Sequence, residues 1–180
     1  MNELIKLNKA RQALMEAKTL QEIREIKDIA KAVKAYAQAK KLGVEMVNDA
    51  TEIELRAERE MGKLIQQKQE EGELATQKDG ALFRDLLPER KEIKTFSDIG
   101  ITYKESSNAK KLASIPEEKF EQKISELKSE KKPLTKTGFL NEIKMEERRE
   151  KIEILKREIP KISELKNTYD VIVIDPPLGL

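Results

Sequence analysis

Between Thr102 and Lys111 the chain gathers Thr102, Tyr103, Lys104, Ser106, Ser107, Asn108, Lys110 and Lys111. These side chains are suited to holding a polyanion. Hydroxyl and amide groups bond phosphate oxygens or base edges, and lysines neutralise phosphate. A second group, Asp175, Pro176 and Pro177, follows a run of β-branched residues near the end of the chain. Other chemistries are excluded by composition. The sequence has no Cys and no His, so thiol nucleophiles, disulfides, imidazole bases and Cys/His zinc sites are all absent.

The elements that position these groups must be helical for the most part. Of 180 residues, 36 are Lys or Arg and 34 are Asp or Glu, against 38% apolar and 4% aromatic content. That is thin material for one large globular core and is typical of long solvated helices and coiled coils. The net charge of +2 is too small to select a polyanionic partner, so any such surface must arise by local segregation of charge. No apolar run approaches the roughly 20 residues that span a bilayer, and MNELIKLNKARQ lacks the apolar centre of a secretion signal. The expectation is a cytoplasmic protein without a membrane partner and without a metal site.

Residues 1–72 contain no proline and read as a long helical hairpin or coiled coil. Ile23, Ile26, Ala30, Val33 and Ala37 advance by 3, 4, 3 and 4, which lays one stripe along a helix face. Thr19 and Glu22 have the spacing of a capping box that starts this helix, and Gly43 is placed to end it in a left-handed cap. A second stripe follows through Met46, Ala50, Ile53, Ala57, Met61 and Leu64. Alanines along the seam imply close helix approach, within one chain or between two, so a homo-oligomer through these helices is expected. A solvated structural coiled coil is the plain reading of the same pattern. Residues 73–94, with Gly80 and Pro88, lose the stripe and read as a linker.

Residues 95–145 read as a helix-turn-helix domain. Thr95 and Asp98 can cap a short helix carrying Phe96 and Ile99, and Gly100 supplies the positive φ of a tight turn. Ile101 plugs the core beneath it. Thr102 and Glu105 form a second capping box, and Ala109, Leu112 and Ala113 are the apolar side of the helix they start. Its exposed face would then carry Tyr103, Lys104, Ser106, Ser107, Asn108, Lys110 and Lys111. A helix amino terminus is itself an anion site, and a second helix of this kind enters a DNA groove. A small residue is usual where Phe96 stands and an apolar one where Ser106 stands, so a plain helical hairpin is the competing interpretation. Pro116 opens a further helix with Phe120, Ile124 and Leu127 on one side, and an exposed helix from Gly138 stops at Pro160. Residues 146–168 read as a connecting helix.

Val171, Ile172, Val173 and Ile174 read as a buried strand of the kind a parallel sheet supplies, within a remnant spanning 169–180. Nothing else in the chain offers it a partner strand. The fold expected is therefore mainly α: a long helical hairpin or coiled coil, then a helix-turn-helix domain, then a lone carboxy-terminal β-strand from an incomplete α/β domain.

The segment YDVIVIDPP, Tyr169 to Pro177, resembles the start of the catalytic domain in S-adenosylmethionine-dependent adenine N6 methyltransferases, in the phage and prophage branch of the family named after the seventy-kilodalton messenger-RNA methyltransferase subunit. From about Leu7 to Ile143 the chain is similar to the amino-terminal region of prophage members, through KLNKARQALMEAKTLQEIREIKDIAKAVKAYA, ELRAEREMGKL and the ParB-like DIGITYKESSNAKKLASIPEEKF. The resemblance implies that Asp175 and the Pro176 carbonyl, followed by Pro177, would hold the target amine. Accepting its hydrogens favours the pyramidal form that attacks a methyl sulfonium. The family follows this with a Trp that stacks on the flipped base, where Leu178 stands here. The family's cofactor segments come after that point, so no cofactor is expected in this chain, S-adenosylmethionine belonging to the full-length family. The plain reading of Asp175 is a strand-terminal residue before a turn.

These features lead to an expected DNA-binding and self-association region of a truncated, inactive adenine methyltransferase, with double-stranded DNA as partner. A non-enzymatic ParB-like DNA-binding regulator and a structural coiled-coil scaffold are the alternatives.

Overall fold

The computed structural model describes residues 2–76, 94–130 and 132–158. They form α1 (Asn2–Glu16), α2 (Leu20–Ala39), α3 (Val44–Glu70), α4 (Tyr103–Ala113), α5 (Glu117–Ser129) and α6 (Lys136–Glu158). The protein is mainly helical, and the described residues contain no strand. Leu74 and Lys94 make one isolated parallel bridge. The expected strand at Val171–Ile174 and the remnant 169–180 lie outside the described residues, as does most of the linker.

Helix α2 starts where its capping box predicts. The Glu22 amide donates to Thr19 Oγ1 at 3.2 Å and the Thr19 amide donates to Glu22 Oε2 at 3.1 Å. Its inward stripe, Ile23, Ile26, Ala30, Val33 and Ala37, is buried throughout. Its end differs from expectation. Lys41, not Gly43, takes the left-handed position, with φ 53°. The amides of Lys41 and Leu42 donate to the carbonyls of Gln38 and Ala37, the paired bonds of a Schellman motif. Gly43 instead precedes α3, as its N-cap residue.

The short 40–43 connection folds α3 back antiparallel to α2. Ala50, Ile53, Ala57 and Met61 are buried as the second stripe requires, while Leu64 is only partly covered and Ile65 is fully inside. One cluster joins Leu7 and Ala10 of α1 to Ile26, Ala30 and Val33 of α2 and Ala50 and Ile53 of α3. Burial of these side chains, at roughly 1.5–3 kcal/mol for each large one, is what holds the three helices together.

Residues 1–143 form one compact unit, and Lys144 begins a second. The two regions that the sequence separates at 73–94 therefore pack as one body. Helix α4 lies on α3 rather than in a domain of its own, and Gly62 is the reason. A Cβ at Gly62 would stand 2.1 Å from the Ala109 carbonyl oxygen and 2.9 Å from Ala113 Cβ, so backbone meets backbone at this crossing. Ile101 and Ala109 complete a cluster with Leu20, Ile23, Ala57, Met61, Ile65 and Leu74.

A third cluster forms beyond α4. It unites Leu55 and Leu112 with Ile115, Phe120, Ile124, Leu134, Phe139 and Ile143. Phe120 and Phe139 meet edge to face, their centroids 5.1 Å apart, and the Arg59 guanidinium lies 4.8 Å from the Phe120 centroid. Pro116 is the N-cap of α5 rather than its first helical residue. Asn48, only 3% exposed, donates to the Lys132 carbonyl at 2.9 Å and accepts from the Leu134 amide at 2.7 Å. One buried amide thereby fixes the loop leading into α6. From Lys144 to Arg157 the side chains of α6 are exposed, apart from the partly covered Glu146.

Candidate nucleic-acid interface

The turn before α4 is closed by local hydrogen bonds. The Thr95 hydroxyl and amide both donate to Asp98 Oδ2 at 2.7 Å. Gly100 has φ 65°, and the amides of Gly100 and Ile101 donate to the carbonyls of Ser97 and Phe96. This is again a Schellman closure, so the glycine does what the sequence predicts. The element in front of it is shorter than expected. Residues 96–100 make hydrogen-bonded turns, not a helix. Phe96 and Ile99 are partly buried against the α2–α3 cluster, and Ile101 is buried beneath them. The Arg24 guanidinium lies against this turn, 2.5 Å from where a Cβ on Gly100 would stand.

Helix α4 begins in the second capping box. Thr102 Oγ1 accepts from the Glu105 amide at 3.2 Å and donates to Glu105 Oε2 at 2.9 Å, and the Thr102 amide donates to the same carboxylate oxygen at 3.1 Å. The other oxygen, Oε1, accepts from Lys27 Nζ at 3.1 Å. Lys27 reaches it from α2 while only 2% exposed. The hydrogen bond from the Thr102 backbone, reinforced by Lys27 and the Thr102 hydroxyl, holds the Glu105 carboxyl at a pKa of about 2. Glu105 is the sole acidic residue of α4, and its charge is fully engaged by these donors.

The structure sorts the expected contact residues. Tyr103 is 60% exposed, and Lys104 and Lys111 are also exposed. Ser107 and Asn108 are half-covered. Thr102 is exposed, but its hydroxyl is committed to the cap. Lys110 is half-covered too, with Nζ 3.5 Å from Gln69 Oε1 and 5.9 Å from the Phe96 ring centroid. Ser106 corrects the expectation of an exposed face, because it is 1% exposed and its hydroxyl has no hydrogen-bond partner. It stands three and seven residues before Ala109 and Ala113, on the side that the sequence itself marks as apolar. Tyr103, Ser106, Ser107, Lys110, Lys111 and Ser114 line one open groove along the helix. Asp175, Pro176 and Pro177 lie outside the described residues.

Three residues that the sequence did not single out support the site. Lys27 fixes the cap, Arg24 lies against the turn, and Gly62 seats the helix. All three depend on contacts between residues 47 or more positions apart, for which periodicity within one helix gives no signal. On α5 and α3 a network of charges draws the supporting helices together. Arg56 donates to Glu52 at 2.9 Å and to Glu121, and Lys128 reaches both Asp49 and Glu52 at 2.7 Å. Burial alone would raise the Glu52 carboxyl, but Lys128 and Arg56 outweigh it and hold it low. The described residues contain no group of Asp and Glu placed to hold a metal ion, and none of their helices is long and apolar enough to cross a membrane.

Compared with protein-family models, curated proteins and solved structures, the chain matches none.

Proposed function

We propose that this chain binds double-stranded DNA through α4 and self-associates through its amino-terminal helices. One observation carries the DNA reading. The outward side of α4 bears Tyr103, Lys104, Ser107, Asn108 and Lys111, and its single carboxylate is bound by Lys27 and by the donors of the cap. A helix that follows a tight glycine turn and offers hydroxyls, an amide and cations without a competing anion suits phosphate and base-edge contact. Arg24, beside the turn, adds a cation at the end where the helix dipole is also positive.

The resemblance of Tyr169–Pro177 to the Asp-Pro-Pro start of adenine N6 methyltransferases supports a further assignment. The chain belongs to an S-adenosylmethionine-dependent DNA adenine methyltransferase, whose target α4 helps to engage. Asp175 and the Pro176 carbonyl would hold the adenine amine there, and the cofactor would be supplied by the full-length family's catalytic domain.

The test is fluorescence anisotropy of a labelled duplex titrated with the full chain at several salt concentrations. Binding should weaken steeply with salt, because phosphate contacts release condensed counterions. The double substitution K104A/K111A should lower the salt slope by about 2 contacts at roughly 0.9 each. An unchanged slope, or no binding at low salt, refutes the assignment of α4.

A further inference from the structure

Helix α2 carries two apolar stripes, and only one of them is packed against the other described residues. The inward stripe packs on α1 and α3. The second, Ile29, Ala32, Tyr36 and Ala39, advances by 3, 4 and 3 along a different side of the same helix. Ile29 and Tyr36 are each 45% exposed. Ile29, Ala32, Val33 and Tyr36 form one wall of an open groove whose other wall is Glu3 and Lys6 of α1.

The charges around this stripe are segregated. Toward the start of α2 the exposed ionic residues are Glu22, Glu25 and Asp28, while from Ile29 to Lys41 the helix and its cap contain lysines and no acidic residue. Of the two cations in the acidic half, Lys27 is bound by Glu105 and Arg24 lies beside the Gly100 turn. A second helix of the same sequence, turned end for end about a point between Ala32 and Val33, would lay each acidic half against the other's basic half. In that register Ile29 faces Tyr36 and Glu25 faces Lys40, while the small side chain of Ala32 at the centre permits close approach. A twofold contact requires this kind of self-complementarity.

We infer that the outward stripe of α2 is a twofold interface with a second copy of this chain, the two helices running antiparallel with Glu25 of each opposite Lys40 of the other. The inference rests on the reading of the amino-terminal helices as self-associating, and it names the face and register through which they do so.

Sedimentation equilibrium on the full chain, with circular dichroism to confirm folding, tests it. The wild type should dimerise. Glu25→Lys or Lys40→Glu alone should each weaken the dimer about tenfold, by setting like charges opposite. The double variant E25K/K40E, or an equimolar mixture of the two single variants, should restore it. The chain has no cysteine, so Ala32→Cys introduces a single thiol that should form a disulfide-linked dimer under oxidation, whereas Ser129→Cys should not. A wild type that stays monomeric at every concentration overturns self-association itself. A dimer that ignores the charge swaps and leaves the Ala32→Cys thiol uncrosslinked refutes this face while leaving self-association standing.

Discussion

Lys27 of α2 and Glu105 of α4 meet at 3.1 Å, with the ammonium buried and the carboxylate bound on its other oxygen by the cap of the helix it starts. A long-range ion pair and a local capping box therefore share one side chain. The two partners should respond unequally to substitution. Glu105→Gln leaves a buried ammonium without its counter-charge and should cost about 1–3 kcal/mol. Lys27→Met removes the charge and keeps the stem's volume, while the partly exposed carboxylate keeps its cap bonds, so its cost should stay under about 1 kcal/mol. Urea unfolding of both variants checks the order, and equal losses would contradict it.

The same carboxylate makes stability depend on acid. The folded value of about 2 lies below the ordinary 4.5, so folding holds Glu105 ionised and its contribution is complete above about pH 4.5. It should decline as pH falls from there toward 2, since the unfolded chain takes up the proton first. In denaturant midpoints measured across this window, the gap between wild type and Glu105→Gln should narrow steadily. A gap that widens toward acid would reverse the assignment.

Gly62→Ala tests the α3–α4 crossing. Alanine is the better helix former by about 1 kcal/mol, so a helix unconstrained at this point would gain from the change. Here the new methyl would collide with the Ala109 carbonyl, which is backbone and cannot rotate away. A net loss of about 1–3 kcal/mol is expected in thermal unfolding. Any gain in stability would mean that the two helices do not touch there.

Ser106→Ala should be neutral or stabilising by up to about 1 kcal/mol, because the buried hydroxyl has no partner to lose. Its effect on duplex binding should be small beside that of K104A/K111A. A large stability loss would show that the hydroxyl is bonded in solution.

Asn48→Leu removes both bonds to the 132–134 loop and buries an apolar group against two peptide groups left without partners. About 2–4 kcal/mol should be lost, on roughly 1–2 kcal/mol for each stranded group. Limited proteolysis checks this, with faster cleavage near Lys132 as the expected result.

Much of this architecture is legible locally. The α2 stripe, both capping boxes and the Gly100 turn depend on residues within a few positions of each other, and each sits where the spacing puts it. Lys41 was not legible, because a lysine gives no sign that it will adopt a left-handed conformation. Its neighbours Ala37 and Gln38 impose that conformation through the hydrogen bonds that close the helix. Within its own helix nothing distinguishes Gly62, and its purpose depends on Ala109, 47 residues away in chain order. For the candidate site, the exposed positions Tyr103, Lys104 and Lys111 follow from the helical period. Ser106 does not, since its polar type suggests the wet side while its angle on the helix puts it on the dry side.

Because α4 rests on α3 through main chain at Gly62, no rotamer can yield at that point. A load applied to α4 from outside passes straight into the long helix behind it, as through a hinge pin without play. Whatever grips the outward lysines grips the scaffold too.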